Sequence, residues 1–169
     1  PGDVFLFFGW FRHVSKTSAG WSWRPKSPDI HVLFGWLEVE QCLRIQTQRA
    51  KCLKKYPWLA THPHMGDAYT DPRNCIYIGT KTSTIVGGGH PGGGRFSLYK
   101  PALQFTAGGD NRKRSVWHLP AFFSPRGRPA LTYHSNPSRW TENGDQVELK
   151  TVGRGQEFVI DSDEYTPLE

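Results

Sequence analysis

Two apolar stretches, Val4 to Trp10 and Ile30 to Val39, are rich in β-branched and aromatic side chains and read as long strands. Each carries a Phe-Gly-Trp triplet, at Phe8-Gly9-Trp10 and Phe34-Gly35-Trp36. The repeat suggests two paired strands of one sheet, with glycine marking a bulge or a close backbone approach. Ser15 to Asp29 lies between them with serines, lysines, a glycine and two prolines, which is loop composition. Thr47 to Lys55 is the best helical segment: Ala50 and Leu53 share one side, Arg49, Lys51, Lys54 and Lys55 surround it, and Pro57 ends it. Cys75 to Gly79 alternates as a strand does, and Thr84 to Val86 reads as another before the glycine tract Gly87 to Gly94. Short strands are expected at Leu103 to Thr106, Val116 to Leu119, Leu131 to His134, Gln146 to Val152 and Glu157 to Ile160. Turns at Asn143-Gly144-Asp145 and Gly153-Arg154-Gly155 separate the last of these.

No regular alternation of strand and helix appears, which favours an α+β, mainly β fold over a doubly wound sheet. The expected form is a strongly bent antiparallel or mixed sheet, or a partly open barrel, with one or two short helices. At 169 residues the chain fits a single domain, 1–169. Its 18 Gly and 13 Pro make up about 18%, short of the roughly 25–30% of a low-complexity chain. Its 23 aromatic residues supply area for a core. The longest apolar run, Val4 to Phe11, is far below the ~18 residues of a membrane span. Asp3 stands where a signal peptide would place a cation, so the expectation is a cytoplasmic protein with no membrane partner. Cys42, Cys52 and Cys75 form no metal or disulfide spacing and read as buried free thiols.

Three patterns bear on chemistry. His62-Pro63-His64, with Asp67 three residues on, would place two imidazoles on one side of an extended chain beside a carboxylate, a weak metal-ligand pattern. The competing reading is a proline-stiffened loop whose histidines bond locally. The glycine tract could cradle phosphate with backbone N–H groups, but it matches neither a P-loop nor a clean dinucleotide fingerprint, and a surface loop explains it as well. Neither a nucleophile elbow nor a cysteine nucleophile motif is present. Finally, cations recur beside aromatics: Arg112-Lys113-Arg114 before Trp117, Arg126 and Arg128 after Phe122-Phe123, and Arg139 next to Trp140. With a net charge of +6, such residues could give phosphate contacts beside stacking platforms, or merely a solvated basic surface.

The runs Gly2 to Arg12, His31 to Leu37, His62-Pro63-His64, Asn74 to Tyr77, Trp117 to Pro120, Leu131 to His134 and Arg154 to Val159 together resemble the Nmad3 family. That family's name stands for nucleotide modification associated domain. The resemblance covers nearly the whole chain and implies a role linked to nucleotide or DNA base modification. It supplies no catalytic residues to carry over. Relatives look longer at the N-terminus, which implies a preceding segment. The first ~40 residues are also loosely similar to PUA-like and EVE-type modules, small barrels that read modified bases.

Three functions follow as expectations. The first is binding of DNA, a nucleotide or a nucleobase without bond breaking, with Arg112, Lys113, Arg114 and Arg139 on phosphate and Trp117 and Trp140 stacking on bases. The second is a base-modifying enzyme drawing its acid-base or metal groups from His62, His64, Tyr133, His134 and Glu157, with any cofactor unknown. The third is a docking scaffold for a protein partner or a second copy of the chain.

Overall fold

The computed structural model describes residues 2–85, 89–108, 113–152 and 157–161. The fold is α+β and mainly β, with three sheets, one α-helix and several single 3-10 turns among the described residues. No closed barrel occurs among the described residues. The chain forms two compact units, Pro1–Phe7 with Phe34–Ser97, and Phe8–Leu33 with Leu98–Glu169. The strands β1 (Val4–Phe11) and β4 (Ile30–Arg44) contribute residues to both. Among the described residues no helix is long and apolar enough to cross a membrane.

In the first unit β4 pairs antiparallel with β5 (Cys75–Gly79) and with β6 (Gly93–Arg95). The sheet order is β1-β4-β5, so β4 is central and carries the most completely buried positions. α1 (Ile45–Lys55) starts two residues earlier than the sequence suggests, because Ile45 is a buried anchor, and Gln48 interrupts its helical geometry. Ile45, Cys52, Leu59, Met65 and Ile76 close over Leu43 of β4 as this unit's core. Of the three free thiols, Cys52 is buried but Cys42 is exposed and Cys75 half-buried.

Of the described part of the glycine tract, Gly89 to Gly92 is turn and loop as expected, while Gly93 and Gly94 are in β6. A Cβ on Gly94 would stand 2.8 Å from the Trp36 indole, and one on Gly92 would run into the Thr80 hydroxyl, so side chains are excluded by packing. Gly87 and Gly88 lie outside the described residues, as do Val86 and the expected turn at Gly153-Arg154-Gly155. Thr84 is not in a strand; its N–H and hydroxyl, with the hydroxyl of Ser83, donate to the buried carboxylate of Glu38. The Thr84 hydroxyl bond leads in holding that carboxyl below its usual range, so Glu38 stays ionised and pins this loop.

In the second unit, Ser15 to Asp29 is not all loop. It forms the hairpin of β2 (Val14–Thr17) and β3 (Gly20–Trp23), joined by the two residues Ser18 and Ala19. A three-stranded antiparallel sheet follows, in the order β7 (Val116–Pro120), β9 (Gln146–Lys150), β8 (Trp140–Asn143). Central β9 alternates cleanly, burying Val147 and Leu149 completely between exposed Gln146 and Lys150. Gly144 opens the two-residue β8–β9 loop at φ +63°, a conformation that suits glycine.

Three expected strands are absent. Leu103 ends a 3-10 turn, and Gln104 and Thr106 make only single bridges, to Val32 and Trp117. Leu131 to His134 is a turn closed by His134 N–H to Leu131 C=O. Glu157 to Ile160 is not a strand; Val159 bonds Thr132, donating to its hydroxyl and accepting from its N–H.

Candidate nucleic-acid interface

Three segments of the second unit bring their ends together around one carboxylate. β1 delivers Trp10 and, just past its end, Arg12; the residue before β4 is Asp29; and Arg114 stands two residues ahead of β7. Arg12 donates twice to Asp29 Oδ1, from Nε at 2.8 Å and Nη2 at 2.5 Å, while Arg114 Nη1 lies 4.0 Å from Oδ2. The Arg12 guanidinium holds the Asp29 carboxyl below its usual range, with smaller help from the Trp10 indole N–H and from Arg114.

The Arg114 guanidinium sits 4.0 Å over the centre of the Trp10 ring, and Arg12 lies 5.9 Å from that of Trp23. Trp10, Trp21 and Trp23 are 61%, 72% and 63% exposed. Indoles supply some of the largest apolar areas a protein can bury, so three left in water on one unit mark a surface that calls for explanation. The ion pairs are solvent-facing and contribute little to stability. Their effect is to fix two guanidiniums in place, with one carboxylate against two cations.

Directly inside lies an aromatic core. Trp117, expected from the sequence as a stacking platform, is 4% exposed; Phe8, Phe105 and Phe158 surround its ring at 4.9–5.5 Å. Its indole N–H donates to His31 Nδ1 at 2.9 Å. Burial, seconded by the charge of Arg114, pushes His31 down to about 4, so at neutral pH the imidazole is uncharged and free to accept that bond. Trp117 therefore holds the core and fixes a histidine tautomer.

His134 is fully buried, with Nδ1 2.7 Å from the Thr132 carbonyl and Nε2 accepting from the Val152 N–H at 3.2 Å. Both ring nitrogens are engaged, and burial lowers the pKa, which fits a neutral ring protonated on Nδ1. The half-buried Trp140 donates its N–H to the His134 carbonyl, and Arg139 Nη1 donates to the Lys150 carbonyl. Tyr133 is 61% exposed at φ 66°, an uncommon backbone for a tyrosine, and Glu157 is exposed. Lys113 is exposed beside Arg114, and Arg112 lies outside the described residues.

The remaining candidates belong to the first unit. His62 is extended, but the chain turns straight after it at Pro63–Met65, and its Nδ1 caps that 3-10 turn by accepting from the His64 N–H. His64 bonds Asn74 through Nδ1 at 2.8 Å and stacks on Tyr69, while Asp67 is exposed and 3.4 Å from Arg49. No group of three or more His, Cys, Asp or Glu that could hold a metal ion occurs among the described residues.

Sequence reasoning missed Trp10, Arg12, Trp21, Trp23 and Asp29. A signal was present: residues 12–28 contain Arg12, Lys16, Arg24 and Lys26 with two tryptophans and no acidic residue.

What these features define is a mainly β protein that gathers arginine and exposed tryptophan on one surface. Compared with known families, residues 1–161 match nucleotide modification associated domain 3, Nmad3. The chain belongs to that family, and its association is thus with nucleotide modification. Searches of curated proteins and of solved structures return no match.

Proposed function

We propose that this protein binds nucleic acid, recognising its bases, through the basic aromatic surface of its second unit. The observation that carries the reading is Arg114 stacked on exposed Trp10 while Asp29 holds Arg12 and Arg114 together. Guanidiniums fixed beside open indoles offer phosphate contacts next to stacking faces, the combination that retains single strands and splayed bases. Family membership supports a nucleotide-linked role.

The test is binding of fluorescent single-stranded and double-stranded DNA by fluorescence anisotropy at 50 and 200 mM salt, with mononucleotides as competitors. If three or four phosphates are neutralised, single-strand affinity should fall about 20- to 50-fold between those salts. Absence of binding to either DNA at both salts would remove the proposal.

A further inference from the structure

The hairpin of β2 and β3 presents a feature that a general basic surface does not require. Trp21 and Trp23 are two residues apart on β3, so they project from the same face of the hairpin. Their register partners on β2 are Lys16 and Val14, which occupy that face too, whereas the other face carries Ser15 and Ser22. All the large side chains of the hairpin are thus on one side. Both indoles are nevertheless mostly exposed, at 72% and 63%.

Residues two apart on a strand are separated by about 6.8 Å. That is twice the ~3.4 Å between stacked bases, so a single planar base fits between two indoles at this spacing. Lys16 stands directly across from Trp21, and Arg12 approaches the ring of Trp23. With Arg24 and Lys26 following, the segment 12–29 holds four cations against the one carboxylate of Asp29, which pairs with Arg12, an excess complementary to a phosphate backbone.

We infer that the β2–β3 hairpin is a clamp for one unpaired base, with Trp21 and Trp23 stacking on its two faces and Lys16 and Arg12 holding the flanking phosphates. This rests on the nucleic-acid reading above and narrows it. A base stacked inside a duplex exposes neither face, so the substrate class is single-stranded nucleic acid or a nucleotide extruded from a helix.

The experiment compares an eight-residue oligothymidylate with an abasic octamer of the same charge, on the unaltered protein and on the Trp21→Ala, Trp23→Ala double variant. The unaltered protein should prefer the base-bearing strand by about 5- to 150-fold, the range expected for stacking of one base. The double variant should lose that preference while keeping the salt dependence of its remaining binding. The double variant Trp21→Phe, Trp23→Phe, which keeps two π faces, should retain most of it. Should the double alanine variant fail to fold, the single variants Trp21→Ala and Trp23→Ala take its place, and each should lower the preference. A preference unchanged in the alanine variant overturns the clamp and leaves the broader reading standing, whereas equal binding of the two octamers overturns the clamp and base recognition together and leaves only phosphate binding. If neither octamer nor any longer DNA binds, the broader reading falls and the clamp with it.

Discussion

Replacing Trp117 with alanine is expected to destabilise the protein by about 3–5 kcal/mol, the usual cost of emptying a buried aromatic site. The ring is enclosed by Phe8, Phe105 and Phe158, and the cavity would open between β7 and the segment around Phe105. His31 Nδ1 would also lose its donor, leaving a half-buried acceptor that can compensate only through water. For a chain of this length the loss lowers the thermal midpoint by roughly 6–20 °C, readable by circular dichroism. Trp117→Phe should keep much of the packing and leave DNA affinity within about twofold, because the ring does not reach the surface. A Trp117→Phe variant that folds normally but loses DNA binding would restore the stacking role expected from the sequence and contradict the structural one.

The second large effect is expected from the double variant Arg12→Ala, Arg114→Ala. If each guanidinium neutralises one phosphate, the slope of log affinity against log salt should become shallower by about 1.4 for a single strand and about 1.8 for a duplex. Stability should change little, since both ion pairs to Asp29 face solvent. Anisotropy titrations over a salt series, with thermal melts as the folding control, measure both quantities. An unaltered slope in a normally folded variant would show that these arginines do not touch phosphate.

The contrast between Trp117 and Trp10 shows where sequence reading works and where it stops. Local pattern located β1, β4, β5, β7, α1 and β9 because each has a period or an apolar run long enough to register. The β2–β3 hairpin escaped because its residues are mostly exposed and its serines, lysine and glycine are those of a loop; cross-strand pairing, which no local pattern reports, makes it a hairpin. The same limit governs the site. Trp117 and Arg114 are three residues apart, yet one is core and the other surface, and adjacency in sequence treats them alike. Trp10, Asp29 and Arg114 are remote in sequence, and only the fold gathers them. His62 and His64 show the converse: i, i+2 spacing brings two rings to one side only on extended chain, and Pro63 instead opens a 3-10 turn there.

One rival location deserves a direct comparison. Helix α1 carries Arg49, Lys51, Lys54 and Lys55, and Trp58 just beyond it is 60% exposed, so the first unit also offers cations beside an indole. The decisive measurement is ultraviolet cross-linking of the unaltered protein to a single strand containing 5-bromodeoxyuridine, followed by peptide mapping of the attached nucleotide. The surface described here predicts cross-links within residues 8–29, at Trp10, Trp21 or Trp23. Cross-links confined to residues 34–97 would contradict it and move the interface to the first unit.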